Sequence, residues 1–172
     1  DSPQSPLFNR ALRGGYPPAS TIKPFMALAG LENKLSSWTE RYYASGSYQI
    51  NPDGRRYRDW KKGGHGWINL ERSIIESVDT YYYQLAHKMG ITPIYNFLSK
   101  FGYGQKNILD LHGENGGLLP SNQWKKSRYG EPWYPGDSVN VGIGQGFMVA
   151  TPIQIATATT ALANRGEWLA PR

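Results

Sequence analysis

The chain of 172 residues contains no cysteine, which excludes disulfide bonds and zinc sites built from thiolates. It has no apolar run long enough to span a membrane, and no signal peptide is visible at its start. Internal repeats are lacking, and few stretches alternate as strands do. The length and an aromatic content of 13% predict one folded domain with its own core. Asp1–Pro6 reads as a loop inside a longer protein.

The formal net charge is +6, and much of the excess lies in one short segment. This basic aromatic segment, residues 55–62, contains Arg55, Arg56, Arg58, Lys61 and Lys62 together with Tyr57 and Trp60. Arginine and aromatic side chains can grip phosphates and stack on bases. Asp53 and Asp59 dilute that charge, so we predict no nucleic-acid partner. A solvated loop or a surface for docking another protein fits the segment better.

Residues 16–25, Tyr-Pro-Pro-Ala-Ser-Thr-Ile-Lys-Pro-Phe, carry the first chemical motif. If a helix begins near Ser20, then Ser20 and Lys23 lie on one face, roughly 5–6 Å apart at their β-carbons. Pro24 suits the first turn, where a missing N–H costs least. The apolar run that follows should partly desolvate Lys23, and a desolvated lysine can act as a base toward a serine hydroxyl. Alone, Ser-x-x-Lys is a weak signal.

A second motif strengthens the first. Ser77-Val78-Asp79 follows in the order that penicillin-binding proteins and serine β-lactamases use. Ser77 and Asp79 are two residues apart and would face different sides of a continuous helix. They converge on one site only if the backbone turns between them. We therefore predict a break here, with Asp79 capping the next helix.

The rest of the sequence predicts a mainly helical chain. Asn69 and Ser121 are expected N-caps, whereas Gly90 and Gly102 are expected helix ends. Loop with short extended pieces is expected over 36–54, a loop-rich region over 103–137, and a strand or turn over 141–146. The helices are predicted at 7–12, 20–31, 70–76, 80–89, 94–101, from 121 through 126, and from 151 to about 162.

Six separate matches, in the right order, carry a resemblance to a known family. They are residues 16–24, 56–61, 77–79 with the tyrosines that follow, 100–104, 142–146 and 151–154. Together they resemble the transpeptidase domain of class B penicillin-binding proteins, most closely the penicillin-binding protein 2 group of the bacterial elongation machinery. The resemblance covers almost the whole chain. It implies a partial transpeptidase domain over residues 1–172, truncated at both ends.

The resemblance assigns roles to four residues. Ser20 is similar to the acylated nucleophile, and Lys23 to its base. Ser77 matches the hydroxyl that relays a proton toward the leaving group. Asp79 stands where most of the wider superfamily has asparagine, and it would position the substrate or the lysine. The backbone N–H of Ser20 would form part of the oxyanion hole.

One departure from the family is serious. The third motif, Lys-Ser/Thr-Gly on an edge strand, occurs nowhere in the sequence. In the family that strand binds the substrate carboxylate and supplies the other oxyanion donor. Loss of one such donor costs roughly 10²–10³ in rate. We expect the chain alone to be inactive or weakly active, and to form the helical part of an α+β β-lactamase/transpeptidase-like fold without most of the antiparallel sheet.

The family also bears on metals and partners. We expect no cofactor, but relatives can bind zinc near Asp59 and His65, with Asp53 nearby. The position that can be cysteine in those relatives is Val78 here, which weakens the zinc interpretation, since zinc needs three or four ligands. The implied partners are peptidoglycan stem peptides, β-lactam antibiotics, a membrane glycosyltransferase and proteins of the rod-shape complex. The implied location is the periplasmic face of the inner membrane.

The sequence leaves three functions open. The first is a peptidoglycan D,D-transpeptidase. The second is a serine β-lactamase of the same fold, which would need a base that activates water, and the sequence offers no good candidate. The third is a non-catalytic binding module built on the basic aromatic segment. Labelling by a fluorescent penicillin separates the first two from the third, and turnover of that penicillin separates the second from the first.

Overall fold

A computed structural model of the protein describes residues 7–108 and 110–172, so the loop expected at Asp1–Pro6 lies outside the described residues. Helices dominate, as the sequence predicts. Within these two ranges no helix is both long and apolar enough to cross a bilayer. The α-helices are α1 Arg10–Arg13, α2 Lys23–Glu32, α3 Leu70–Ile75, α4 Asp79–Met89, α5 Ile91–Leu98, α6 Asn122–Tyr129, α7 Pro135–Val141 and α8 Pro152–Ala163, and 3-10 helices cover Ala19–Ile22 and Ser99–Phe101.

The four strands of the described residues pair as two small antiparallel sheets. Strand β1, Tyr42–Ala44, pairs with β4, Gly66–Ile68, and β2, Ser47–Gln49, pairs with β3, Arg56–Arg58. Residues 45–46 join β1 to β2, residues 59–65 join β3 to β4, and hydrogen bonds hold this loop against the end of β1 and the turn that follows it. Asp59 N–H donates to the Gly46 carbonyl and His65 N–H to the Ala44 carbonyl, both at 2.9 Å.

Helix α4 is the centre of the core. Its aromatic and aliphatic residues face inward, and it packs against α2, α5 and α7 and against strands β1 to β3. Tyr82 on α4 and Phe25, Met26 and Ile22 around α2 are completely or almost completely buried. Burying such large apolar side chains is the main source of stability in a domain of this size. The core therefore fixes α2 and α4 relative to each other, and both candidate motifs lie at the starts of these helices.

Local capping explains where several helices begin. The Asn69 side chain accepts a hydrogen bond from Arg72 N–H, and Ser121 Oγ accepts one from Trp124 N–H at 3.1 Å. Thr151 and Gln154 form a reciprocal capping box at the start of α8, with Pro152 in the first turn. These caps confirm the predicted starts of α3, α6 and α8 to within a residue or two.

Two predicted helix starts differ from the structure, and one helix was not predicted. Helix α1 begins at Arg10, not at Leu7, because Asn9 caps it through Leu12 N–H. Helix α5 begins at Ile91, not at Ile94, since the left-handed Gly90 ends α4 and leads directly into α5. Helix α7 was not predicted, because Pro135-Gly136 suggests a turn. Proline is equally compatible with the first position of a helix, and Asp137 caps the start by accepting from Tyr134 N–H at 2.9 Å.

The glycine-rich segment 142–146 is a turn that packs against the backbone just before Ser20. Ala19 N–H donates to the Gly144 carbonyl at 2.9 Å. Gly144 has a φ of +68°, and a β-carbon there would lie 2.3 Å from the Ala19 carbonyl oxygen. Ala19 is itself in the left-handed region, with a φ of +49°. Glycine at 144 thus permits the close approach that holds the Ser20 segment.

We predict that Gly144→Ala destabilises the protein far more than Gly130→Ala. Gly130 has a similar φ of +70°, but a β-carbon there meets nothing within 4 Å. The control should cost about 1 kcal/mol for the left-handed backbone alone. The Gly144 variant adds a steric clash and should lose about 3 kcal/mol in total, measured by urea unfolding. Equal losses for the two variants would contradict the packing described for Gly144.

Candidate active site

Ser20 lies in the 3-10 helix Ala19–Ile22, which runs directly into α2. This agrees with the prediction that a helix begins near Ser20. Pro18 precedes the 3-10 helix, and its carbonyl accepts a hydrogen bond from Thr21 Oγ1 at 2.6 Å. Ser20 is exposed. The short helix therefore presents the Ser20 hydroxyl to solvent on a segment that is anchored on both sides.

Lys23 is the first residue of α2 and is only 2% exposed. Its Nζ donates to the Ser77 carbonyl at 2.7 Å, to Ser77 Oγ at 3.0 Å and to Asp79 Oδ1 at 2.6 Å. It also lies over the ring of Tyr82, 5.7 Å from the centroid. A buried amine is stable only when its donors are satisfied, and here three acceptors from one turn satisfy them.

Ser77 lies at the break between α3 and α4. The backbone turns here as predicted, because Ser77 adopts a left-handed φ of +51°, which is uncommon for a residue other than glycine. Val78 follows with no exposed surface and secures the turn in the core. Ser77 Oγ donates to Ser20 Oγ at 3.1 Å. The hydrogen-bonded path from Lys23 to Ser20 therefore runs through Ser77.

Asp79 begins α4, where a negative charge is favourable near the helix N-terminus. Its Oδ1 pairs with Lys23, and its Oδ2 accepts a hydrogen bond from Trp60 N–H at 3.3 Å. The carboxylate therefore orients the lysine and links it to the loop between β3 and β4. The structure brings all four predicted site residues, Ser20, Lys23, Ser77 and Asp79, into one hydrogen-bonded group.

Tyr82 was predicted from the sequence as a residue of the apolar helix face but not of the site, although it lies about one helical turn after Asp79. Its ring is fully buried beneath the Lys23 amine, and its hydroxyl lies 3.0 Å from Ser73 Oγ. Burial raises the pKa of Tyr82 far above its usual value. The phenol therefore stays neutral and contributes an aromatic face, not a charge, to the floor of the site.

The two candidate metal ligands, Asp59 and His65, also meet in space. His65 Nε2 lies 3.1 Å from Asp59 Oδ1, and both side chains are fully buried. His65 Nδ1, however, lies 2.6 Å from Glu76 Oε2, and Asp53 is an exposed turn residue. Across residues 7–108 and 110–172 no group of three or more histidine and acidic residues could hold a metal ion. The residues present thus do not fit zinc, which takes three or four ligands.

Glu76 is a site neighbour that the sequence analysis missed. Arg72 is on α3, and Glu76 follows it by four residues at the end of that helix. This spacing favours an ion pair and could have identified Glu76 as a partner of Arg72. The carboxylate contacts His65 Nδ1 and Arg72 Nε. Hydrogen bonds, first from His65 and second from Arg72, lower the pKa of Glu76 from 4.5 to about 2. Glu76 therefore remains a carboxylate over the whole neutral and mildly acidic range, next to Ser77.

Comparison with known families gives a direct match. The family model for the penicillin binding protein transpeptidase domain matches residues 1–172. Among curated relatives, peptidoglycan D,D-transpeptidase MrdA of Escherichia coli K12 is 45% identical over 166 residues, which are 96% of this chain and 26% of the relative. MrdA of Acinetobacter baumannii is 43% identical over 171 residues, 99% of this chain and 25% of the relative. The chain spans about a quarter of these relatives.

Solved structures agree with the sequence relatives. PBP2 of Pseudomonas aeruginosa, solved in complex with WCK 5153, superposes with a TM-score of 0.97 at 50% identity, covering 99% of this chain and 39% of that one. PBP2 of Helicobacter pylori, solved in complex with MreC, superposes at 0.91 and 35% identity, covering 96% of this chain and 31% of that one. The resemblance and fold class expected from the sequence are confirmed.

We predict that Glu76→Gln changes the acid stability of the protein. Because the folded-state pKa of Glu76 lies below its unfolded value, the carboxylate stabilises the fold above pH 4.5. That contribution is lost as the pH falls from 4.5 to about 2. The difference in unfolding free energy between wild type and the variant should therefore shrink across this window, as measured by urea unfolding at several pH values.

Arg72→Gln is the companion variant for this experiment. It removes the second cause of the lowered pKa of Glu76 but leaves the hydrogen bond from His65 in place. It should therefore reproduce only part of the change seen with Glu76→Gln. If the Glu76→Gln curve runs parallel to the wild-type curve across the window from 4.5 to about 2, the lowered pKa is wrong.

Proposed function

Because the chain belongs to the penicillin-binding protein transpeptidase family, we propose that the protein carrying it is a serine D,D-transpeptidase that cross-links peptidoglycan stem peptides. The observation that carries this proposal is the hydrogen-bonded group of Ser20, Ser77, Lys23 and Asp79. It joins a solvent-facing hydroxyl to a buried amine through a second hydroxyl. Such a nucleophile–base arrangement is the requirement for covalent acyl transfer.

In the first half of the reaction, Ser20 Oγ attacks the carbonyl carbon of the D-Ala-D-Ala peptide bond. A C–O bond forms. With the Lys23 amine neutral and the two hydrogen bonds along the path reversed, Ser20 Oγ gives its proton to Ser77 Oγ while Ser77 passes its own hydroxyl proton to Lys23 Nζ. The C–N bond then breaks, and the departing D-alanine amine takes a proton back along the same path. The product is an acyl-enzyme on Ser20 and free D-alanine.

In the second half, an amine from a neighbouring stem peptide attacks the acyl-enzyme. A new C–N bond forms, the C–O bond to Ser20 breaks, and the amine's proton returns through Ser77 to restore the hydroxyl. The backbone N–H of Ser20 supplies one donor to the oxyanion in each tetrahedral state. The other donor belongs to the third motif, which these 172 residues lack, so the chain alone is inactive or weakly active under this proposal.

A β-lactam reacts through the same acylation step as the D-Ala-D-Ala peptide. Its strained amide is attacked by Ser20, and the opened ring remains attached, so the acyl-enzyme persists. The proposal therefore includes acylation of Ser20 by β-lactams. Turnover of a penicillin by the protein would instead favour a serine β-lactamase, and a complete lack of labelling would favour a non-catalytic module built on the basic aromatic segment.

The partners and location that we propose follow the relatives. The structure of Helicobacter pylori PBP2 is a complex with MreC. Another solved neighbour, 30% identical with a TM-score of 0.85, belongs to a peptidoglycan synthase complex that coordinates polymerization and crosslinking. These two assemblies support the proposal that the protein works together with rod-shape proteins and a membrane glycosyltransferase, at the periplasmic face of the inner membrane.

Ser20→Ala tests the proposed function most directly. In the full protein that carries this chain, the variant should lose all covalent labelling by a fluorescent penicillin and keep its melting temperature, since only an exposed hydroxyl is removed. Ser37→Ala, which removes an exposed hydroxyl that hydrogen-bonds to Glu40 N–H, should label normally. A penicillin adduct on the Ser20→Ala protein in intact-mass spectrometry would refute the assignment.

Lys23→Arg tests the base. Arginine keeps the positive charge but does not deprotonate, so the second-order rate of penicillin acylation should fall by about 10² or more. Lys125→Arg is the matched control, because Lys125 is also buried, at 3% exposure, and pairs with Asp137 at 2.5 Å. Acylation in that control should match wild type. Near-normal acylation by Lys23→Arg would mean that Lys23 is only an electrostatic or structural partner.

A further inference from the structure

The loop of residues 59–65, between β3 and β4, contacts both sides of the turn that carries Ser77 and Asp79. Asp59 Oδ2 accepts hydrogen bonds from Thr80 N–H at 2.9 Å and from Thr80 Oγ1 at 3.1 Å, just after the turn. Trp60 Nε1 donates to the Glu76 carbonyl at 3.2 Å, just before it. Trp60 N–H donates to the Asp79 carboxylate at 3.3 Å. The loop thus brackets the turn with backbone and side-chain contacts.

His65 connects Asp59, at the start of the loop, with Glu76, just before the turn. One ring nitrogen lies 3.1 Å from Asp59 Oδ1, and the other lies 2.6 Å from Glu76 Oε2. The ring has no exposed surface, and the Trp60 indole covers it edge-on at 5.3 Å. A buried histidine with a carboxylate on each side holds the two carboxylates at a fixed separation, because its two contacts lie on opposite edges of one flat ring. We call Asp59, His65 and Glu76 the carboxylate–histidine clamp.

The turn under the clamp needs external support. Ser77 adopts a φ of +51°, which L-residues other than asparagine and aspartate seldom adopt without compensating contacts. In that conformation its hydroxyl lies 3.0 Å from Lys23 Nζ and 3.1 Å from Ser20 Oγ. A small relaxation of the turn would break this path. Small misplacements of a reacting group cost large factors in rate.

We infer that His65 is a positioning residue for the acylation reaction, acting with Asp59 and Glu76 to hold Ser77 in its relay geometry through side-chain hydrogen bonds in place of bound zinc. This inference rests on the proposed function. Zinc is a poor fit because the two candidate ligands already satisfy each other and Val78, at the position where relatives can have cysteine, is a fully buried aliphatic residue. The clamp supplies the rigidity that a metal would supply elsewhere.

The test is stopped-flow acylation of the full protein by a chromogenic β-lactam, with the dissociation constant and the first-order acylation rate separated. The side chain introduced by His65→Gln has donors only on its amide nitrogen, so it cannot donate to carboxylates that lie on opposite sides as Asp59 and Glu76 do. Its acylation rate should fall about tenfold, the size expected for one charge-assisted hydrogen bond. Its dissociation constant should stay within about twofold of wild type. His87→Gln, which removes a ring contact to Tyr48 OH at the other end of α4, should leave both constants unchanged.

Two variants at Glu76 keep the test informative if His65→Gln does not fold. Glu76 is partly exposed, so substitutions there should be tolerated. Glu76→Ala should lower the acylation rate about tenfold, whereas Glu76→Gln keeps an acceptor oxygen for His65 and should recover most of the loss. A purely structural role would move the melting temperatures of the two variants without this ordering of rates. Equal, wild-type acylation rates for both variants would overturn the inference.

The zinc content of the protein provides a further test of the inference. The purified protein should contain far less than one equivalent of zinc by plasma mass spectrometry, and dialysis against EDTA should leave the acylation rate unchanged. Stoichiometric zinc whose removal slows acylation would overturn the inference. Labelling of the unmodified protein at Ser20 reports separately on the proposed function, so failure of the function and failure of the clamp give different results.

Discussion

The buried amine of Lys23, with its three hydrogen-bond acceptors, is the interaction on which the site depends. Lys23 is 2% exposed, and a polar group so far from water is tolerated only when its hydrogen-bond partners are fixed and close. All three acceptors, two on Ser77 and one on Asp79, lie within three residues at the turn into α4. The first residue of α2 and the start of α4 are therefore locked together, and the packing of these two helices in the core and the geometry of the site depend on each other.

The residues around Lys23 and the Ser77–Asp79 turn hold both in place. On one side, the glycine turn at 142–146 presses against Ala19 and so sets the approach to Ser20. On the other side, Asp59, Trp60 and His65 of the loop 59–65 form hydrogen bonds with residues on both sides of the turn before α4. Two residues other than glycine have a left-handed φ here: Ala19 immediately precedes Ser20, and Ser77 is itself one of the four residues of the proposed site. Backbone strain of this kind persists at functional sites where neighbouring structure compensates for it.

The sequence predicted what is encoded locally. The spacing of Ser20 and Lys23, the caps Asn69 and Ser121, the helix start at Thr151 and the break at Ser77 all follow from helix geometry and short-range hydrogen bonding. It did not predict α7, because proline and glycine at 135–136 suit a turn and a helix start equally well.

It also did not predict contacts that depend on tertiary structure. Glu76 has the charge and spacing of an ordinary surface residue, and its pairing with His65 requires the loop 59–65 to fold over α3. Lys125 likewise has the appearance of a solvated lysine, yet Asp137 and the rings of Trp133, Tyr134 and Phe147 enclose it. The catalytic roles of the four site residues stay predictions.

The contact between Ala19 and Gly144 has a consequence for biosynthesis. Ser20 is translated early in this stretch of chain, but the carbonyl that restrains its neighbour is translated far later. Loop closure over such a separation is slow compared with helix formation, and helices near the ribosome exit can form first. During translation, the Ser20 segment therefore lacks this restraint until the residues of the glycine turn at 142–146 have been made. A nascent chain that ends before residue 144 would therefore contain Ser20 without the hydrogen bond between Ala19 N–H and the Gly144 carbonyl.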